Sequence, residues 1–194
     1  MESQFMRKLA IHQRITAITL SVLLSASIFT GDAIAATAEE IDARVDSTLK
    51  IFRLQVPGAE QYLSVAKGVL IFPSVFRAGI GVGGEYGEGA LRIDGKTVEY
   101  WSTASASIGF TFGAQTKSLI LIFLNEEELI KFRHSEGWRA GVDGSVAFVE
   151  WGKSENVDTI NTRDPILGFA FGNKGLMANI ALEGSKFILL NKDK

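Results

Sequence analysis

The chain has no cysteine, and only two of its 194 residues are histidine. Without cysteine there can be no disulfide bond, no thiolate metal site and no lipid attached to a cysteine. Transition-metal sites usually cluster histidine, cysteine and carboxylates, so no metal site and no cofactor are predicted. An oxygen-ligand calcium site is the alternative, with carboxylates from Asp143, Asp158 and Asp164, but the EF-hand spacing is absent.

The chain also lacks a strong charge of either sign. It has 20 Lys+Arg and 22 Asp+Glu, a formal net charge of −2 at pH 7. Nonspecific nucleic-acid binding depends on an excess of basic side chains that neutralise phosphates. We therefore predict no nucleic-acid partner.

No apolar run reaches the roughly 20 residues that a membrane-spanning helix needs. The uncharged, mostly apolar stretch Ile15–Phe29 follows three basic residues and precedes Ala33-Ile34-Ala35. This order is typical of a secretory signal peptide over residues 1–35 that is cleaved after Ala35. An uncleaved membrane anchor is the alternative. Export predicts a periplasmic or secreted protein, which without disulfides relies on its packed core.

Residues 36–194 then form a single domain with a formal charge of −3, because the removed segment carries three basic and two acidic residues. Thr37 and Glu40 have the spacing of a capping box. Apolar residues follow at helical spacing and predict an amphipathic helix over 38–54. Pro57-Gly58 ends it, and a short helix is expected over 59–66. A third helix is predicted from the cap residue Asn125 to about His134.

Elsewhere the apolar pattern has the period of two that is typical of strands. The predicted strands are 68–73, 77–86, 88–94, 96–101, 104–113, 119–124, 144–151, 166–172, 175–182 and 185–190. Asp94-Gly95 predicts a tight hairpin turn, and 152–165 is a long polar loop. The fold class is therefore α+β: a mostly antiparallel β-sandwich or half-open barrel with N-terminal helices and one helix inserted between strands. Trp101, Trp138 and Trp151 are predicted to be core residues.

Glycine is concentrated between residues 79 and 89. Gly79, Gly81 and Gly83 share one face of a strand, which leaves that face bare. The segment matches the dinucleotide fingerprint G-x-G-x-x-G, but a strand rather than a helix follows, so nucleotide binding is not expected. A bare face predicts close approach to the backbone, either by protein or by a ligand.

No residues form a convincing catalytic set, so the protein is not expected to be an enzyme. His134 stands at a predicted helix end, where a histidine is usually solvated. Glu126, Glu127 and Glu128 are expected to stabilise the helix start rather than act as an acid/base cluster.

Several motifs together resemble the SYLF domain family over roughly residues 60–190. They are Ala66-Lys67-Gly68, Arg77-Ala78-Gly79, Gly84 to Gly89, Tyr100-Trp101-Ser102, Ile108 to Gln115, Ser118 to Ile122, Gly141 to Val146 and Lys174 to Lys186. The resemblance implies a non-catalytic, lipid-binding protein that docks on a phospholipid membrane surface or holds a lipid. The alternative is an envelope protein-interaction or structural module, with self-association or a protein partner and no lipid.

Lipid docking needs basic side chains for headgroups and apolar surface to insert. Candidate headgroup residues are Lys67, Arg77 and Lys117 at strand ends, with Arg44, Lys50 and Arg53 on the first helix. In eukaryotic relatives the N-terminal helix is rich in lysine and helps to bind phosphoinositides. Here the helix also carries four acids, Glu39, Glu40, Asp42 and Asp46, which argues against phosphoinositide specificity. Eukaryotic relatives are also linked to actin, a role that export argues against.

Overall fold

The computed structural model describes residues 36–149, 165–172, 175–176, 182 and 184–192. These residues belong to one compact unit, Ala36–Lys194. The predicted signal peptide, the polar loop before Pro165 and the predicted core residue Trp151 lie outside the described residues. None of the helices in the described part of the chain has the length and apolar character needed to cross a bilayer.

All three helices form close to their predicted bounds. Helix α1 spans Ala38–Gln55, α2 spans Ala59–Val65 and α3 spans Glu126–Arg133. The capping box before α1 is confirmed, because Thr37 Oγ1 accepts from the Glu40 amide at 3.2 Å and Glu40 Oε2 accepts from the Thr37 amide at 3.1 Å. Asn125 caps α3 by accepting from the Glu127 amide at 2.7 Å.

Seven strands in the described residues form one sheet. They are β1 Gly68–Ile93, β2 Lys96–Phe123, β3 Trp138–Arg139, β4 Ala147–Phe148, β5 Ile166–Gly172, β6 Gly175–Leu176 and β7 Lys186–Leu190. All pairings are antiparallel except that of β4 with β5. The predicted α+β class and the half-barrel are confirmed.

The prediction of six short strands between residues 68 and 124 was wrong. β1 and β2 are single strands of 26 and 28 residues that pair along their length. Pro73 does not end the first strand because it lies at a register shift between Phe72 and Val75, where the ladder needs no amide donor. Its carbonyl oxygen accepts a 2.8 Å hydrogen bond from Ser118 Oγ. The hairpin turn is confirmed at Asp94-Gly95, with φ of 50° and 74°.

Later strands are shorter than predicted in several places. Of the predicted strand 144–151 the structure describes residues 144–149, and within them only β4 is a strand. β3 was missed because two residues carry no periodic pattern. β5 matches its prediction, whereas β7 begins one residue later. Residues 177–181, which belong to the predicted strand 175–182, lie outside the described part of the chain.

The long hairpin folds back on itself near residues 79–83. A side chain at Gly87 would meet the Ser74 carbonyl oxygen at 2.8 Å, and one at Gly89 would collide with the Ile71 carbonyl oxygen. At the bend, a side chain at Gly79 would collide with the Gly83 backbone. Glycine at these positions therefore permits close backbone approach by the protein itself. The curled hairpin gives the half-barrel its two walls.

Two hydrophobic cores hold the architecture together. The interior of the half-barrel contains Trp101, Phe132, Trp138 and Phe187, and it is closed by α3. This confirms the core prediction for Trp101 and Trp138. The second core lies beneath α1 and α2, where Phe52 meets Phe169 at a 5.0 Å ring-centroid distance. Most of the apolar stripe of α1 thus packs on the sheet.

Candidate functional site

A cleft of about 490 Å³ opens beside the C-terminal half of α1. Its other walls are the end of α2, the start of β1 and the β1–β2 turn. The lining residues are Asp46, Leu49, Lys50 and Arg53 of α1; Leu63, Ser64, Ala66, Lys67, Gly68 and Val69 from the end of α2 to the start of β1; and Arg92, Asp94 and Gly95 of the hairpin. Four of them are basic: Lys50, Arg53, Lys67 and Arg92.

The cleft brings together three of the six predicted headgroup residues. Lys50 and Arg53 come from the last turns of α1, whereas Lys67 immediately precedes β1. They can meet because Gly58, with φ of 75°, reverses the chain between the helices. α2 then leads the chain back along the cleft to Lys67.

The fourth basic residue of the cleft, Arg92, was missed by the sequence interpretation. Its side chain is only 15% exposed, with Nη1 2.8 Å from Asp46 Oδ1 and Nη2 3.8 Å from Asp42 Oδ1. Arg92 lies near the end of β1, just before the Asp94-Gly95 turn. The criterion that selected basic residues at strand ends could have found it.

Two of the four acids on α1, Asp42 and Asp46, form hydrogen bonds or ion pairs with side chains of the β1–β2 hairpin. Asp42 accepts hydrogen bonds from Thr97 Oγ1 at 2.7 Å and from the Tyr100 hydroxyl at 3.0 Å. Burial, together with this hydrogen bond to Asp42, raises the pKa of Tyr100 to about 12. Because Asp46 is paired with Arg92, the acid count of the helix overstates the negative charge available near the cleft.

The cleft cations differ in what holds them. Lys50 and Lys67 are exposed and form no ion pair with any residue in the described ranges. Arg53 Nε lies 2.6 Å from Glu60 Oε1 on α2. Two ammonium groups are therefore available to an anion without first breaking an internal ion pair.

Exposed apolar side chains lie next to these basic residues. Leu54 is 87% exposed, and Ile51, one turn earlier on α1, and Val65, at the end of α2, are each close to half exposed. Large apolar side chains beside exposed lysines form a surface that suits the interface of a lipid bilayer. We call Ile51, Leu54 and Val65 the apolar rim.

The other three predicted headgroup residues lie outside the cleft lining. Lys117 is buried, and its Nζ is 2.9 Å from Glu85 Oε2. Arg77 Nη1 is 3.3 Å from Glu85 Oε1. Lys117 is enclosed by the folded hairpin, whereas 39% of the Arg77 side chain stays exposed beside the same carboxylate. Neither position is a strand end, because β1 and β2 continue through them. Arg44 is exposed on α1 but does not line the cleft.

The residues considered for catalysis or calcium binding form local contacts at helix ends and turns. His134 is exposed at the end of α3, with Nδ1 2.8 Å from the Ile130 carbonyl oxygen. Glu127 and Glu128 pair with Lys131 at 3.0 and 2.9 Å. Asp143 accepts from the Arg139 amide at 2.7 Å. Within the ranges that the structure describes, no three His, Asp or Glu side chains cluster to hold a metal ion, and Asp158 and Asp164 lie outside those ranges.

Comparison with family models matches residues 104–193 to the family Ysc84, described as Las17-binding protein actin regulator. The resemblance to the SYLF family is confirmed over these residues. No curated protein matched the chain.

The SYLF match begins within β2 and continues through α3 and β3–β7, whereas the cleft is built from residues 46–95. β1 joins the two parts, because it pairs with β2 along nearly its whole length. The SYLF family is linked to lipid binding and to protein interaction.

Proposed function

We propose that this protein is an exported, non-catalytic lipid-binding protein that docks on anionic bilayer surfaces. The observation that carries the proposal is the cleft, where Lys50 and Lys67 come together from separate elements beside the apolar rim, without an ion pair to any residue that the structure describes. The proposed ligand is the headgroup layer of a phospholipid leaflet.

Two physical contributions support docking at this position. A basic side chain close to an anionic leaflet contributes about 1 kcal/mol of attraction, which decreases as ionic strength rises. The apolar rim adds insertion at the boundary between headgroups and acyl chains. Neither contribution is large alone, so the proposal depends on their proximity. The link of the SYLF family to lipid binding supports the ligand class.

Export is part of the same proposal and rests on the segment 1–35. Processing after Ala35 would release a chain beginning at Ala36, whose carbonyl oxygen accepts a 2.8 Å hydrogen bond from Lys192 Nζ. An exported protein of this kind meets the leaflets of the cell envelope. The intact mass of protein purified after expression of the full-length sequence reports whether the chain begins at Ala36.

The test is flotation of that purified protein with liposomes. Vesicles of phosphatidylcholine alone are compared with vesicles that also contain phosphatidylglycerol, each at low and high salt. We expect binding to the anionic vesicles and weaker binding at high salt. The double variant Lys50→Glu, Lys67→Glu should lower affinity at least about tenfold, because two attractive charges become repulsive.

A charge-matched control separates the cleft from overall charge. Arg139→Glu with Lys186→Glu makes the same change in net charge at exposed positions outside the cleft lining, and it should reduce binding much less. Absence of binding to anionic vesicles, or an equal loss in both double variants, would overturn the docking proposal.

A protein-interaction or envelope-structural role is the second candidate. It is favoured by the exposed Tyr86 on β1 and Ile188 on β7. Their partners on β2, Ala104 and Ser102, are two residues apart, so both side chains lie on the same face of the sheet. The partner in the family's description, Las17, is not carried over, since export would separate this chain from actin. Ile188→Lys should dissociate an oligomer or complex, which light scattering measures. The same substitution should leave vesicle binding unchanged.

A further inference from the structure

We infer that Glu60 lowers the affinity of the cleft for anionic lipid by occupying Arg53, and thereby sets how much anionic lipid a bilayer must contain before the protein docks. This inference rests on the proposed function. It assigns a specificity-determining role to an acidic residue outside the cleft lining.

The ion pair between Arg53 and Glu60 is short and exposed. Arg53 Nε lies 2.6 Å from Glu60 Oε1, and the side chains are 44% and 72% exposed. Arg53 is in the last turn of α1, and Glu60 is in the first turn of α2. The pair thus spans the chain reversal at Gly58, at the edge of the cleft.

Among the four basic residues that line the cleft, Arg53 alone is both substantially exposed and held by a carboxylate. Arg92 is held by Asp46, is largely buried, and also reaches the Gly95 carbonyl oxygen at 3.4 Å. It fastens α1 to the hairpin. Lys50 and Lys67 need no release, so Arg53 is the cation whose availability an internal competitor can change.

Arg53 can exchange the Glu60 carboxylate for a lipid phosphate at little net cost in free energy. Ion pairs between exposed side chains contribute little to stability. The attraction of a basic side chain to an anionic leaflet is of similar size. A leaflet with few anionic headgroups therefore leaves Arg53 with Glu60, whereas a densely charged leaflet recruits Arg53 as a third ligand. Glu60 itself also repels the leaflet while it remains at the edge of the cleft.

The experiment measures binding of the purified protein to vesicles with a rising fraction of phosphatidylglycerol in phosphatidylcholine. Glu60→Gln is compared with Glu136→Gln, which removes the same charge from an exposed residue without a described partner. We expect half of the Glu60→Gln protein to be bound at a phosphatidylglycerol concentration about fivefold lower than the one that the wild type needs. Glu136→Gln should change that concentration by less than about twofold, because it is not at the cleft.

Arg53→Gln in both backgrounds tests whether Glu60 acts through Arg53. The substitution should weaken binding more in the Glu60→Gln protein than in the wild type, because Arg53 is fully available only there. Equal effects in the two backgrounds, or equal shifts from Glu60→Gln and Glu136→Gln, would overturn the inference while leaving lipid docking intact. If neither the wild type nor Glu60→Gln binds anionic vesicles, both proposals fail. Binding by Glu60→Gln alone would overturn docking by the wild-type protein, on which the inference rests.

Discussion

Lys117 Nζ lies 2.9 Å from Glu85 Oε2 inside the folded β1–β2 hairpin, and the two side chains are only 9% and 13% exposed. Lys117 belongs to the part of β2 that pairs with residues before the bend, whereas Glu85 follows the bend on β1. The ion pair therefore connects the two walls of the half-barrel. Arg77 approaches the same carboxylate at 3.3 Å, so one acid serves two bases.

Removing the Glu85 charge should strongly destabilise the protein. Glu85→Gln leaves the ammonium of Lys117 buried without its carboxylate, which should lower the free energy of unfolding by about 3 kcal/mol. Adding Lys117→Met to that variant should restore part of the loss. Urea unfolding followed by circular dichroism measures each value. The control is Glu127→Gln at an exposed ion pair, with an expected cost below about 1 kcal/mol; equal costs at Glu85 and Glu127 would contradict a hairpin-locking role.

Two glycines of the same strand should respond oppositely to alanine. A side chain at Gly89 would collide with the Ile71 carbonyl oxygen, whereas at Gly84 the nearest atom is the Ser105 carbonyl oxygen at 3.5 Å, an ordinary contact. Gly89→Ala should lower the free energy of unfolding by about 3 kcal/mol, because backbone cannot move aside as a side chain can. Gly84→Ala should be neutral or slightly stabilising, because it restricts the unfolded chain. Thermal unfolding of both variants measures the difference, and similar melting temperatures would argue against the fold-back contact.

Local features were predictable from the sequence because neighbouring residues determine them. The capping box of Thr37 and the Asp94-Gly95 turn need only a few adjacent positions, and both formed as predicted. The fold-back of the hairpin was not predictable, since periodicity along a strand does not report which distant backbone lies against it. That is why Lys117 was interpreted as a strand-end residue although the structure encloses it. The glycine concentration indicated close approach, but not that the strand approaches itself.

The candidate site was predictable only in part for the same reason. Helical spacing placed Lys50 and Arg53 together, but their meeting with Lys67 depends on the reversal at Gly58. The acids of α1 argued against phosphoinositide specificity. Contacts across more than 50 residues, from Asp42 to Thr97 and Tyr100, are what redirect one of them to the hairpin.

Tyr100 should make the protein less stable at alkaline pH. Its pKa is raised from 10.0 to about 12 in the folded protein, so the folded state holds the hydroxyl proton more tightly than the unfolded state. Its contribution is complete below pH 10 and is lost as the pH rises towards 12. Tyr100→Phe should flatten the decline in the free energy of unfolding over that range. Asp42→Asn should lower the pKa of Tyr100, which tyrosinate absorbance measures; an unchanged alkaline decline in Tyr100→Phe would assign it to other groups.

Leu54 should contribute to membrane docking without contributing to folding. At 87% exposure it loses little contact when shortened, so Leu54→Ser should leave the melting temperature within about 1 °C. The same substitution should weaken binding to anionic vesicles roughly tenfold, because transfer of a leucine side chain out of water is worth about 1.5–3 kcal/mol when complete and insertion is partial. The loss should persist at high salt, unlike the effect of Lys50→Glu. Val142→Ser is the matched control, since Val142 is exposed in a turn outside the cleft. An equal loss of binding in both variants would show that the rim beside Lys50 has no special contact with the bilayer.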